Sequence, residues 1–123
     1  MDEQVLRALA KWPDVPDCHE WLALDRRGRW RMRDEHAQQH GLLGDVVRNP
    51  ALKGFIDRNY ACNAQGAWFF QNGPQRVYVE LQTTPWVWRI QPNGDVLTHT
   101  GHAAQVTQAL VDDVGLLYLV AAT

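Results

Sequence analysis

The chain has 123 residues, 46% hydrophobic and 21% charged, with a formal net charge of -2, which excludes a disordered or low-complexity chain and fits one domain with one core. No apolar run reaches the roughly 20 residues that cross a bilayer, and Asp2 and Glu3 stand where a secretory leader carries positive charge. The only two cysteines, Cys18 and Cys62, lie too far apart for a metal finger and are too few for a disulfide framework, so a cytoplasmic protein with free thiols is expected.

Val5, Leu9 and Trp12 recur at helical spacing behind Asp2 and Glu3, with Pro13 and Pro16 beyond, which predicts an amphipathic helix over residues 3–11. Trp21 to Leu24 and Arg29 to Arg33 then flank Asp25-Arg26-Arg27-Gly28, a turn of the kind that closes a hairpin. Asp34 can cap a brief helical turn that ends at Gly41, and residues 41–48 read as a loop. Asn49-Pro50 is a cap followed by proline at the first helical position, and Leu52, Phe55, Ile56 and Tyr60 form one stripe, so residues 50–60 are expected to be a packing helix.

From residue 67 the pattern is strand: 67–71, 75–82, 85–91, 95–100, 105–111 and 116–120, separated by Asn72-Gly73-Pro74, Thr83-Thr84, Pro92-Asn93-Gly94, Gly101 and Asp112 to Gly115. The fold expected is therefore α+β: an antiparallel β-meander, either a strongly twisted sheet or a partly closed barrel, with an N-terminal helix and one helix packed on it.

Several segments resemble a family of short proteobacterial proteins known only as a domain of unknown function. They are Lys11-Trp12-Pro13, Trp21 to Asp25 with Gly28 and Trp30 to Asp34, Gly54-Phe55-Ile56 with Arg58-Asn59-Tyr60, Trp68 to Val79, and Thr84 to Arg89. The resemblance covers residues 11 to about 101. It implies no activity, and no catalytic residue is carried over from it.

Two constellations are candidates for a site. A two-residue loop at Thr83-Thr84 would set Glu80 opposite Val87, Tyr78 opposite Arg89 and Arg76 opposite Gln91. Pairing of Gln91 with Asp95 would set Val87 opposite His99. Arg76, Tyr78, Glu80, Arg89 and His99 would then share a polar face suited to an anion or a proton transfer. Val77, Val79, Leu81, Trp86, Trp88 and Ile90 would form the apolar reverse, so Trp86 and Trp88 are expected in the core rather than as a stacking platform. The bland alternative is a solvated face with cross-strand ion pairs.

The second candidate is the stripe of Arg29, Arg31 and Arg33, backed by Trp30 and Met32, which could hold an anion or an acidic protein partner. Asp25, Asp34 and Glu35 can neutralise it, and a pI near 6.2 lacks the basic footprint of a nucleic-acid binder. His36 and His40 have helical metal-ligand spacing but no third ligand, so no metal and no cofactor are expected. Cys18 and His19 are neighbours that a strand points to opposite faces, and the chain has no serine to act as a nucleophile. The expectation is a non-enzymatic binding or interaction module for an anionic ligand or acidic protein surface. The alternative is a small enzyme acting on an anionic metabolite through His99, Glu80 and Tyr78.

Overall fold

In the computed structural model, which describes residues 1–122, the caps and turns of the sequence set most element boundaries. The chain forms two compact units, Met1–Pro85 and Trp86–Thr123. It is an α+β protein, with three helices and ten strands among the described residues.

The first unit begins with α1 (Glu3–Lys11), β1 (Cys18–Leu24), β2 (Trp30–Met32) and α2 (Glu35–Gln39). It continues with β3 (Asp45–Val46), α3 (Pro50–Arg58), β4 (Tyr60–Cys62), β5 (Trp68–Asn72) and β6 (Gln75–Leu81). Asp34 caps α2 by accepting from the Ala37 amide, and Asn49 caps α3 by accepting from Ala51 and Leu52, with Pro50 at the first turn. These bonds satisfy amides that a helix start leaves without partners. The helix expected over 50–60 ends at Arg58, because Tyr60 leaves it to open β4 opposite Phe70.

The strand order is β3-β2-β1-β6-β5-β4. All pairs are antiparallel except β1 with β6, which run parallel. The intervening chain, carrying α2 and α3, supplies the long connection that a parallel pair requires. One face of this sheet packs the core: Leu22, Leu24, Trp30, Phe70 and Val77 are buried, Ile56 is buried on α3, and Phe55 meets Phe70 edge-on at 5.5 Å. Trp30 donates its indole N–H to Asp57 Oδ1 at 2.7 Å, so its polar atom is satisfied within the core.

The second unit holds β7 (Trp88–Ile90), β8 (Val96–Thr98), β9 (Ala103–Val111) and β10 (Leu117–Ala122), an antiparallel sheet in the order β10-β9-β8-β7. Here the turn chemistry is followed closely: the Gln91 amide donates to Asp95 O at 2.7 Å, and Trp88 pairs with Thr98.

The six-strand meander expected from residue 67 onward is corrected in one joint. β6 does not fold back through Thr83-Thr84 onto β7; its neighbours are β1 and β5. Beyond β6, the Gln82 amide donates to Leu24 O and its side-chain oxygen accepts from the Arg26 amide. The chain therefore continues along β1 instead of reversing. The Tyr60 hydroxyl then fixes it by donating to Pro85 O at 2.7 Å. Val77, Val79 and Leu81 consequently do not share a face with Trp86, Trp88 and Ile90. Trp86 and Trp88 are half-buried and Ile90 is exposed, so the latter three are not the buried surface expected.

Candidate functional site

The missing joint divides the first candidate constellation. Arg76, Tyr78 and Glu80 alternate along one face of β6 as expected, but Arg89 and His99 belong to the second unit. Within that unit the expected register holds: the Val87 amide donates to His99 Nδ1 at 3.2 Å, and Arg89 pairs with Leu97. His99 is only 3% exposed and Arg89 is exposed, so the imidazole does not lie on an open polar surface. Trp86 lies 5.7 Å from its ring.

The parallel pairing makes a connection that the sequence reading kept apart. Ala23 is the register partner of both Arg31 and Glu80, so the β2 arginines and the polar residues of β6 lie on the same face of one sheet. The arginines there are already engaged. Asp25, almost wholly buried, accepts from Arg29 Nε and Arg31 Nε at 2.9 Å each and from the Arg27 and Arg29 amides. Burial of that carboxyl raises its pKa, but the Arg29 amide, the Arg31 and Arg29 side chains and the Arg27 amide outweigh burial and hold it below the usual carboxylate value. Arg31 also donates to Gly44 O, and Arg33 donates to Leu42 O and Glu20 O. Gly44 is at φ 84, and a Cβ there would stand 2.1 Å from Met32 O, so only glycine lets this loop lie against β2. The arginine stripe braces the turn and the stretch 41–44 ahead of β3, so the loop expected over 41–48 is interrupted by a short strand paired with β2.

A residue outside both constellations completes the β6 face. Between the pairs Cys18 with Val77 and Leu22 with Val79, β1 carries two more residues than β6, so His19, Glu20 and Trp21 form a bulge. Glu20 adopts φ 71, the left-handed region unusual for a side chain of its size, and Arg33 holds its carbonyl at 3.1 Å. His19 is thereby stacked on Tyr78, with ring centroids 4.9 Å apart and planes 14° from parallel. Tyr78 meets Phe69 edge-on at 6.2 Å, and the Arg76 guanidinium lies 3.8 Å over the Phe69 ring. The result is a row of three rings ended by a cation. Asn63 Nδ2 stands 3.5 Å from the Tyr78 hydroxyl, which it can reach as a donor.

Beside this row lies an open groove of about 600 Å³, lined by Asp17, His19, Trp68, Tyr78, Val79 and Leu81 and by the turn at Gly66-Ala67. That turn is built by Asn63, whose side-chain oxygen accepts from the Gln65 and Ala67 amides. His19 was missed as a site residue because a bulge cancels strand alternation. The signal present was the polar run Cys18-His19-Glu20 ahead of Leu22-Ala23-Leu24, which does not alternate.

The remaining groups do less. Burial pushes the Cys18 thiol up, which keeps it protonated, and Cys62 is a free exposed thiol. His36 and His40 contact each other at 4.3 Å, and His40 Nδ1 lies 2.9 Å from His36 O. Among the described residues no group of three or more histidine, cysteine or acidic side chains could hold a metal, and no helix is long and apolar enough to cross a membrane.

An α+β protein with a mostly antiparallel sheet and an aromatic groove is the class these features define. The chain belongs to the family described as "Protein of unknown function (DUF2946)", whose model, DUF2944, matches residues 1–123. The match therefore extends beyond the segments that carried the resemblance. A crystal structure of a DUF1285 family protein from Silicibacter pomeroyi DSS-3 is similar in fold, with a TM-score of 0.53 at 13% identity. The similarity covers 90% of this chain and 63% of that one, so this chain spans less than two thirds of that protein's length. No curated protein matches the sequence.

Proposed function

We propose that this protein is a non-enzymatic binding module for a small anionic ligand, which seats in the groove beside His19 and Tyr78. The observation that carries this reading is the β1 bulge. A non-glycine residue in the left-handed region costs free energy, and here it turns His19 onto the Tyr78 ring at the groove. His19 supplies a donor and Asp17 an acceptor for a ligand hydroxyl or amine at the groove, and Arg76, outside its lining at the Phe69 end of the ring row, adds a positive charge on the same face. Trp68 and Tyr78 supply the flat apolar walls that small-molecule sites commonly use.

An acidic protein surface is the weaker ligand. Arg29 and Arg31 already neutralise Asp25, and Arg33 is spent on two carbonyls. The enzymatic reading has one observation in its favour: His19, not His99, is the imidazole that contacts Tyr78 on the face carrying Glu80. We place the protein in the cytoplasm, where a reducing environment keeps Cys18 and Cys62 as free thiols.

Native mass spectrometry of protein purified from its own host, followed by calorimetric titration of any retained compound, tests the reading. A retained anion bound stoichiometrically, with affinity reduced about 10-fold or more for His19→Ala, is the expected result. Binding untouched by His19→Ala and Arg76→Gln removes the groove as the site. Turnover of the compound, abolished by His19→Ala, replaces the binding module with the enzyme.

A further inference from the structure

The sequence contains Asn-Gly twice, at Asn72-Gly73 and Asn93-Gly94. In this dipeptide no side chain hinders the glycine amide nitrogen as it approaches the asparagine carboxamide, so the backbone itself can act as the nucleophile. The fold sets the two copies in different surroundings.

Asn72 is the last residue of β5 and pairs with Gln75 across a two-residue turn. Gly73 is half-buried, with the place of its Cβ 4.0 Å from Ala8 Cβ on α1, and Gly73 O accepts from Gln71 Nε2 at 3.1 Å. Pro74 restricts Gly73 from the other side. Swinging the Asn72 carboxamide over Gly73 N therefore disturbs a strand pairing, a helix contact and a side-chain bond.

Asn93 stands third in the turn that joins β7 to β8, where Gly94 N donates to Gln91 O at 2.9 Å and Gln91 N donates to Asp95 O at 2.7 Å. Gly94 is at φ 91, and no described atom of its own unit lies within 4 Å of where its Cβ would stand. Opening the one bond to Gln91 O frees the nucleophile. Asn93 Oδ1 accepts from the Asp95 amide at 3.0 Å, a donor aimed at the oxygen on which negative charge collects when Cγ is attacked.

We infer that Asn93 is a site of spontaneous deamidation and isoaspartate formation, while Asn72 is shielded by its sheet. Gly94 N gives its proton to a solvent base and bonds to Asn93 Cγ; the Cγ–Nδ2 bond breaks, and Nδ2 takes a proton from solvent and leaves as ammonia. Water then opens the cyclic imide. Cleavage at Cγ gives aspartate, and cleavage at the main-chain carbonyl gives isoaspartate, with the backbone rerouted through the side chain. Either product removes the Nδ2 donor that holds Asp95 Oδ2 at 3.1 Å and adds a carboxylate to the same turn, so an attraction becomes a repulsion where the register of β7 on β8 is set.

Incubation of the full chain in mildly alkaline buffer, followed by peptide mapping with electron-transfer fragmentation to separate aspartate from isoaspartate, tests this. In the folded chain Asn93 is expected to convert at least about 10-fold faster than Asn72, a factor of the size that one further hydrogen bond to be broken supplies. In urea, where sheet and turn are both lost, the two asparagines are expected to convert at the same rate. Asn93→Gln, whose longer side chain closes a less favourable ring, is expected to abolish ammonia release at this turn and leave the rate at Asn72 unchanged. An Asn93 that persists in the folded chain as long as Asn72 or longer, or a difference between the two that survives in urea, overturns the proposal.

Discussion

The two units solve the problem of a small fold differently. In Met1–Pro85 a large indole, two phenylalanines and several aliphatic side chains are buried, and the buried polar atoms of Asp25, Asn59 and Gln71 are hydrogen-bonded. Among the described residues of Trp86–Thr123 the buried ones are Thr98 and His99, while the longest strands expose Leu110, Val111, Leu117 and Val120. Burial of apolar area is the main favourable term in folding, at about 25 cal/mol per Å². The first unit therefore buries large apolar side chains of its own, whereas the longest strands of the second leave several of theirs exposed. Substitutions in the first unit are therefore expected to register as loss of stability, and those at exposed positions of the C-terminal hairpin to cost far less.

The largest effect expected is at Trp30. Trp30→Ala should cost about 3–5 kcal/mol, because it leaves a cavity and strips Asp57 Oδ1 of its donor in a part-buried setting. Leu117→Ala, at a residue 54% exposed, should change stability by no more than about 0.5 kcal/mol. Urea denaturation measures both. Comparable losses would erase the contrast between the units.

Asp25 comes next. Asp25→Asn should cost about 2–3 kcal/mol at neutral pH, reduced from the value for a fully buried pair because Arg29 is partly in solvent. Its folded pKa lies below its unfolded value, so its contribution is complete above about pH 4 and is lost as pH falls through the lower folded value. The difference in stability between wild type and Asp25→Asn should accordingly shrink as denaturation is repeated at progressively more acidic pH. A difference independent of pH would mean that the carboxylate charge is not what braces the turn.

Much of the first unit was legible because its signals are local. Asn49-Pro50 announces a helix, Asp25 to Gly28 a hairpin, and the alternation of Arg76, Tyr78 and Glu80 fixes their shared face on β6. What was not legible depends on distance along the chain. The pairing of Leu22 with Val79 joins residues in parallel with no turn between them to record it, and Thr83-Thr84 looked like a hairpin loop in its place. The register of β7 on β8 was readable because Pro92-Asn93-Gly94 is a true tight turn. His19 escaped notice because strand alternation assumes the regular pleat that the bulge breaks.

Tyr60 gives a smaller test of how the first unit ends. Its hydroxyl donates to Pro85 O, and burial, aided by Cys62, pushes its pKa well above the ordinary phenol value. Tyr60→Phe should cost about 1 kcal/mol through the lost hydrogen bond. Wild-type stability from this group is full below about pH 10 and falls as pH rises toward the folded value, so the wild type should lose its advantage over Tyr60→Phe in alkali. Equal stabilities at neutral pH would show that the hydroxyl bond does not fix the chain beyond β6.

The smallest effect bears most directly on the groove. Glu20 sits at φ 71, where a residue with a Cβ loses about 1–2 kcal/mol relative to the right-handed region. Glycine avoids that cost but brings a more flexible unfolded chain, worth about 0.4–1 kcal/mol in the opposite direction. The strain term is the larger, so Glu20→Gly should stabilise the protein by about 0.5 kcal/mol while leaving the bulge, the Arg33 bond to its carbonyl and the His19 stack intact. Glu20→Val should lower stability by about 1 kcal/mol or more, since a β-branched side chain tolerates this conformation least. If glycine destabilises and valine does not, the bulge relaxes to a regular strand in solution. His19 would then leave Tyr78, and the groove would lose the feature that recommends it as a binding site.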